Sequence, residues 1–228
     1  MQTHFEKELA GLKEKLLTMA SHAEMAVKNA VEAYLTRDYE LAQRVRENDA
    51  VLDRFEIEID EMSIQLLAKA PLASDLRLIA AAMKLSQNLE RVGDEAAKIS
   101  NRARDLSQEP PLKLGADIPK MASLALAMLK GALDAFVNHD SVAARAIIPQ
   151  DKEVDALNKS IHAELAKHMV ESPDAITRCL NLMVIAKRLE RIADHATNVA
   201  EEVVYLCEAQ DIRHAAALAQ EPGSAEAS

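Results

Sequence analysis

The sequence has little of what β-sheet folds and unfolded chains depend on. Aromatic residues make up 3% of its 228 residues, and it holds 5 glycines, 7 prolines and no tryptophan. Sheet-rich domains need aromatic and β-branched side chains and many Gly/Pro turns, so a sandwich or barrel is excluded. With 49% hydrophobic residues, the chain is also too apolar to be disordered.

Positive charge is scarce. Lys and Arg number 27 against 37 Asp and Glu, which gives a net charge of −10 without any basic tract. Because nucleic-acid binding depends on basic side chains that neutralise phosphates, we expect no nucleic-acid partner. No apolar run approaches the ~18–20 residues of a membrane span, and no signal sequence opens the chain. We therefore expect a cytoplasmic protein without membrane insertion.

The two cysteines are Cys179 and Cys207, 28 residues apart on one predicted helix. At ~1.5 Å per residue they lie roughly 42 Å apart, whereas a disulfide needs Cα atoms within about 7 Å. We expect two buried free thiols.

Apolar side chains recur every three or four residues through most of the chain. This pattern predicts six long helices that pack at shallow angles, three in each half. Breaks at 36–38 and 70–75 separate the first three helices, and Ser74 is expected to cap the third. The segment 107–119 holds three prolines and a glycine and is the only convincing linker.

The second half repeats the first. The run Leu89–Asp94 recurs 100 residues later as Leu189–Asp194, and Asp49 and Asp53 recur 102 residues later as Asp151 and Asp155. We predict an all-α fold of two tandem homologous antiparallel three-helix bundles, related by a pseudo-twofold axis. The expected boundaries are 1–107 for the first bundle, 108–118 for the linker, 119–212 for the second bundle and 213–228 for a disordered tail.

Each repeat carries two acidic pairs with i, i+4 spacing, so each pair lies on one face of its helix. Counting residues outward from the predicted turns at Pro71 and Pro173 places the two pairs of a repeat at the same height on neighbouring helices. They lie beside the apolar stripes rather than on them. The first group comprises Asp49, Asp53, Glu90 and Asp94, and the second comprises Asp151, Asp155, Glu190 and Asp194.

Four carboxylates at one height repel one another and need neutralising charge. A hard cation such as Mg²⁺, Mn²⁺ or Fe suits oxygen ligands, and His195 and Asn198, one turn apart, are further candidate ligands. In the alternative, the acids are partly solvated and form salt bridges at the rim of the groove. Their basic partners would be Arg54, Arg91, Arg188 and Arg191.

The arginine-flanked motifs at 89–94 and 189–201 resemble the PhoU family of phosphate-uptake regulators. The opening residues 4–9 and the hairpin 71–77 also look like that family, and the resemblance covers about residues 2–208. It implies an all-α, cytoplasmic, metal-binding regulator that represses the bacterial phosphate-starvation response.

The resemblance further implies partners and ligands. Family members connect the phosphate ABC transporter, through its ATPase subunit PstB, to the sensor kinase PhoR, and a homodimer is expected. The Glu/Asp-x-x-x-Asp motifs are the family's metal ligands. The resemblance therefore implies that the eight acids above are metal ligands, with Mg, Mn, Fe or Zn as the metal. The first repeat departs from the second, because Glu95 and Lys98 stand where the second has His195 and Asn198. Lys98 lies one turn from Asp94 and would replace a cation there, so the second site is the stronger candidate.

Two other functions compete with a metal-binding adaptor. A di-metal carboxylate enzyme in a helix bundle needs two Glu-x-x-His motifs. Only Asp211-x-x-His214 places an acid three residues before a histidine, and glycine-rich phosphate loops and serine-nucleophile motifs are absent. We therefore expect no enzymatic activity. A purely structural helical scaffold would explain the stripes but not the height-matched acids, and metal content would separate it from the adaptor.

Overall fold

A computed structural model describes residues 4–70, 72–112 and 117–213, and every regular element in these ranges is helical. The first half contains α1 (His4–Thr36), α2 (Tyr39–Glu47), α3 (Ala50–Leu67) and α4 (Ala73–Ser107). The second contains α5 (Ile118–Asn138), α6 (Ser141–Ile147), α7 (Asp151–Glu171) and α8 (Ile176–Glu208), with 3₁₀ turns at Ile148–Gln150 and Pro173–Ala175. The predicted all-α fold with six long helices is confirmed.

The last helix of each half is its centre. In the first half α4 packs against α1 and α3, and in the second α8 packs against α5 and α7. The halves meet where α4 runs along α8 and where α1 touches α5. Lys84 contacts Glu202, while Arg102 contacts Asn181, so α4 and α8 are antiparallel. The buried apolar side chains of both halves form one main core.

The predicted second and fifth helices are each divided in two. Between α2 and α3, the amide of Val51 bonds the Asn48 carbonyl at 3.1 Å and that of Leu52 bonds the Asp49 carbonyl at 2.9 Å, which is the tight spacing of a 3₁₀ turn. Between α6 and α7, Pro149 supplies no N–H, and a 3₁₀ turn replaces the helix.

The turns between the first two helices of each half are built alike. Arg37 and His139 adopt left-handed conformations, with φ of 58° and 51°, and end α1 and α5. The carboxylates of Asp38 and Asp140 then accept the amides of Leu41 and Ala143, each at 2.9 Å, and cap α2 and α6. The break predicted at 36–38 is confirmed.

Two local predictions are wrong. Ser74 does not cap α4, because the helix begins at Ala73 and its N-cap, Leu72, provides no capping side chain. Cys179 is buried and free as expected, but Cys207 is exposed because it lies one residue before the C-terminal end of α8. Pro71 lies outside the described residues, and so does the predicted tail 213–228 apart from Arg213.

One helix among the described residues, α5, is long and apolar enough to cross a membrane, with a mean hydropathy of 1.3 over 18 residues. This helix corrects the expectation that no apolar run approaches the length of a membrane span. Half of that stretch is buried inside the protein, where α5 packs against α8, α6 and α1. It is a core helix of the bundle.

Candidate metal centre

The eight predicted acids form two groups, one in the groove between α3 and α4 and one in the groove between α7 and α8. In the first, the pKa of Asp49 is raised by burial and then by the carboxylates of Asp94 and Asp53. Burial also raises the pKa of Glu90, with Asp94 and Asp53 adding to the effect. The pairs therefore lie within electrostatic range of each other, as the residue count from the hairpin predicts.

The second group contains the carboxyl with the largest pKa shift among the eight acids. Burial, followed by the charges of Asp194, Asp155 and Glu190, raises the pKa of Asp151 from 3.8 to about 6. Burial and Glu190 raise the pKa of Asp194 as well. The Oδ1 atom of Asp151 is buried and has no hydrogen-bond partner. A carboxylate oxygen in that state has lost its water without gaining a donor.

The acids flank the core, as predicted. Asp53 is exposed and the other seven are half-buried. In the first group the two helices approach closely at Gly93, where an added Cβ would lie 2.2 Å from Leu52 Cδ1 and 3.6 Å from Asp49 Oδ1. The absence of a side chain at this position brings α3 against α4 beside the acids.

Basic side chains already neutralise part of the first group. Arg91 Nε lies 3.3 Å from Glu90 and its Nη1 lies 3.8 Å from Asp94. Lys98 Nζ lies 3.2 Å from Asp94 and 3.0 Å from Glu95, so the predicted contact between Lys98 and Asp94 is present. The first group therefore resembles the salt-bridged alternative.

The second group is less completely paired. Lys187 forms an ion pair with Glu190, and the amide of Asn158 donates to Glu190 at 3.0 Å. Within the described part of the chain no ion pair includes Asp151, Asp155 or Asp194. Neither Lys187 nor Asn158 was among the residues predicted from the sequence. The spacing 151, 155, 158 on one face of α7 is the signal that would have found Asn158.

His195 and Asn198 lie on the face of α8 that meets α4, away from the acid groove. His195 Nδ1 lies 3.0 Å from Asn88 Oδ1, and Asn198 donates to the same oxygen at 3.2 Å. This corrects the expectation that they are further metal ligands. Both side chains instead form part of the contact between the two halves. Arg188 acts likewise, 3.2 Å from Glu95 of α4.

The second group contains buried oxygen atoms of the kind that ligate divalent cations. Asp151 Oδ1 and Asn158 Oδ1 are acceptors without donors, and among the described residues three of the acids form no ion pair. In residues 4–70, 72–112 and 117–213, however, no three His, Cys, Asp or Glu side chains converge tightly enough to form a ready ligand set.

The chain is all-α and consists of two repeated units, each with an acidic groove beside its last helix. The family model for the PhoU domain matches residues 16–103 and again 118–203. The chain belongs to the PhoU family.

Similar proteins span almost the whole chain. A phosphate-specific transport system accessory protein PhoU homolog from Pseudomonas aeruginosa is 41% identical over 92% of this chain and 88% of its own length. One from Aquifex aeolicus is 37% identical over 91% and 95%.

Solved structures agree. The crystal structure of PhoU from Pseudomonas aeruginosa matches with a TM-score of 0.88 and 40% identity, covering 91% of this chain and all of the other. That of the phosphate transport system regulatory protein PhoU from Streptococcus pneumoniae matches with 0.85 and 27% identity, covering 92% and 99%.

Proposed function

We propose that this protein is a cytoplasmic accessory protein of a phosphate-specific transport system and represses the phosphate-starvation response when phosphate is plentiful. It acts as an adaptor rather than an enzyme. As a homodimer it would link the transporter ATPase PstB to the sensor kinase PhoR.

One observation carries this proposal: relatives that match along nearly the full chain, such as the one at 41% identity, are named as accessory proteins of that transport system. The Streptococcus pneumoniae structure is titled a regulatory protein of the same system. An adaptor needs persistent surfaces rather than a reactive pocket, and two rigidly packed bundles supply them.

Gene deletion in the bacterium that carries this gene tests the regulatory role. In phosphate-rich medium the deletion strain should express its starvation phosphatase, and a plasmid copy of the wild-type gene should silence it again. A deletion strain that keeps the phosphatase silent in rich phosphate would contradict the proposal. Co-purification of the tagged protein with PstB and PhoR tests the partners separately.

We propose further that the acidic grooves bind divalent metal, with Mg, Mn, Fe or Zn as candidates. Asp151, Asp155, Glu190 and Asp194 would hold it in the second groove, and Asp49, Asp53, Glu90 and Asp94 would form a weaker counterpart. A bound cation would neutralise the clustered charge. The support is the unpaired state of Asp151 and its raised pKa.

Elemental analysis and calorimetric titration test the metal proposal. The double variant Glu190→Ala with Asp194→Ala should lose most of the metal that the wild type binds and keep its helical circular dichroism, because both positions flank the core. The matched control is Asp134→Ala with Glu171→Ala, which removes two charges whose side chains are 61% and 59% exposed. Control and wild type should bind metal equally.

The same experiment separates the adaptor from a plain helical scaffold. A wild-type protein purified under reducing, chelator-free conditions that binds none of the four metals would overturn the metal proposal. The double variant would then be more stable than the wild type, because it relieves repulsion between like charges. The regulatory proposal is judged by the deletion strain alone.

A further inference from the structure

A second polar site lies between the two halves, away from both acidic grooves. It is a cavity of about 490 Å³ bounded by α1, the start of α4, the turn after α5 and the end of α8. Three leucines contribute the apolar part of its lining, and the polar part comes from Lys13, Ser74, Asp75, Arg77, His139 and Cys207. We call it the cationic cavity.

Its two basic side chains are unpaired within the part of the chain that the structure describes. No ion pair or side-chain hydrogen bond within the described residues involves Lys13 or Arg77, and the Nε of Arg77 is buried without an acceptor. Both residues are half-buried. A buried guanidinium N–H without an acceptor is costly, so this atom indicates a missing anionic or carbonyl partner.

The arginine near the start of α8 gives the contrast. Arg178 donates to the Pro110 carbonyl at 3.2 Å, to the Asp174 carbonyl at 3.3 Å and to the Asp174 carboxylate at 3.4 Å. The fold therefore supplies acceptors for an arginine at the beginning of the long helix in one half. Among the described residues it supplies none for Arg77 in the other half.

The start of α4 adds a second attraction for negative charge. This helix spans 35 residues, and no side chain caps its N-terminus. Its first N–H groups and its dipole favour an anion there, next to the hydroxyl of Ser74. Opposing this, Asp75 also lines the cavity, and Asp140 and Glu208 lie near Cys207. Glu208 is engaged by Arg145 at 2.6 Å, and Asp140 accepts the amide of Ala143. Asp75 is therefore the acid in the lining beside the two cations.

We propose that the cationic cavity binds an oxyanion of the phosphate class, with Arg77 and Lys13 as its charged contacts. The anion is either free inorganic phosphate or the terminal phosphate of a small molecule whose body lies on the leucines. Arginine suits this role because its planar N–H groups match two oxygens of one tetrahedral anion. The proposal does not depend on metal in the acidic grooves.

Calorimetric titration of the full chain in phosphate-free buffer tests it, with inorganic phosphate, ATP and sulfate in separate arms. Arg77→Gln and Lys13→Gln should each weaken binding by about tenfold, the typical loss for one charge-assisted contact. The control Lys167→Gln removes one positive charge from a side chain that is 78% exposed and should leave binding unchanged. Circular dichroism checks that each variant is folded.

Cys207 locates the bound anion. Its thiol is exposed on the cavity lining, whereas Cys179 is buried, so neutral iodoacetamide should alkylate Cys207 selectively. Burial, and then Glu208 and Asp140, raise the pKa of this thiol, so the reaction is run at alkaline pH. The anion should slow alkylation of the wild type at least threefold and should not slow that of Arg77→Gln.

The binding data either support or overturn an anion site in the cationic cavity. Saturable phosphate binding that both variants weaken supports a free-phosphate site, and binding of ATP alone supports a phosphorylated molecule. No saturable binding of phosphate or ATP by the wild type would overturn the proposal. So would binding that neither variant weakens, or binding that leaves the alkylation of Cys207 unchanged.

Discussion

At the residue scale, the carboxyl group of Asp151 carries the clearest electrostatic signal. Its pKa in the folded protein is about 6, raised from 3.8 chiefly by burial and then by Asp194, Asp155 and Glu190. A raised carboxyl pKa means that the native state binds the proton more tightly than the unfolded chain does. The folded protein therefore gains stability at low pH from this group and loses it as the pH rises from about 4 through about 6.

We expect this loss to be about 1 kcal/mol for the metal-free protein, because solvent around the half-buried carboxyl screens much of the repulsion. Asp151→Asn should flatten the dependence of the free energy of unfolding on pH between 4 and 7, measured by urea denaturation with chelator present. Asp134→Asn, on the exposed face of α5, is the control and should leave the slope as it is. An unchanged slope in Asp151→Asn would show that the group titrates normally.

The two repeats differ in the side chains that pack where the acidic helices meet, α3 with α4 and α7 with α8. In the first, Gly93 of α4 lies against Leu52 of α3, where an added Cβ would come within 2.2 Å of Leu52 Cδ1. At the corresponding positions of the second repeat, 102 and 100 residues later, stand Val154 and Ala193, both fully buried. In the second repeat, the smaller valine in place of leucine leaves room for alanine in place of glycine.

Gly93→Ala should therefore destabilise the protein by about 1 kcal/mol, because overpacking outweighs the gain in helix propensity. Adding Leu52→Val should recover that loss, with a coupling energy of about 1 kcal/mol in a double-mutant cycle measured by urea denaturation. Additive effects of the two changes would contradict the proposed exchange of volume.

The placement of the acids could be predicted from the sequence, because i, i+4 spacing and a shared hairpin turn fix helix face and height. The hydrogen-bond and ion-pair partners of the neighbouring side chains could not be predicted. Whether His195 turns toward Asp194 or toward Asn88 depends on how α4 packs against α8, and no local pattern records that contact. The same holds for the ion pair between Arg188 and Glu95.

At the element scale, apolar periodicity located the helices but not the breaks within them. The stripe through Leu41, Val45, Leu52 and Ile59 continues across the end of α2, because the 3₁₀ turn at residues 48–49 keeps both helices facing the core. Because the same side of the chain still faces the core, the change in backbone hydrogen bonding does not alter the apolar periodicity. Pro149 was the local sign of the second break.

The short helix α6 depends on its cap. It spans seven residues, too few for stability by itself, and Asp140 accepts the amide of Ala143 at 2.9 Å. Asp140→Ala should lower the free energy of unfolding by about 1 kcal/mol, and Asp140→Asn, which keeps an acceptor, should lower it far less. Asp134→Ala, an exposed acid six residues earlier, should change it by under about 0.5 kcal/mol. Chemical denaturation of the three variants checks this order.

At the scale of the whole molecule, the repeat reappears in the contact between α4 and α8. A shift of 100 residues turns the pair Asn88 and His195 into the pair Arg188 and Glu95. Both pairs are present, the first as a hydrogen bond of 3.0 Å and the second as an ion pair of 3.2 Å. The pseudo-twofold axis thus passes between equivalent positions whose chemistry has diverged.

The ion pair lets this interface be tested for coupling. The Glu95 side chain is 9% exposed and also contacts Lys98, so Glu95→Leu would leave Arg188 half-buried without its partner. We expect a loss of about 2 kcal/mol in the free energy of unfolding, below the value for a fully buried pair, because the Arg188 side chain is 32% exposed.

The double variant Glu95→Leu with Arg188→Leu should be more stable than the single variant, since it removes the unpaired charge and adds apolar contact between α4 and α8. Because one main core joins both halves, each variant should still unfold in a single transition with an unchanged urea m-value. Breaking the exposed pair of Lys130 and Asp134 should cost under about 0.5 kcal/mol and serves as the control. Equal stability of the single and double variants would mean that Arg188 finds other solvation, and that this ion pair adds nothing to the contact between α4 and α8.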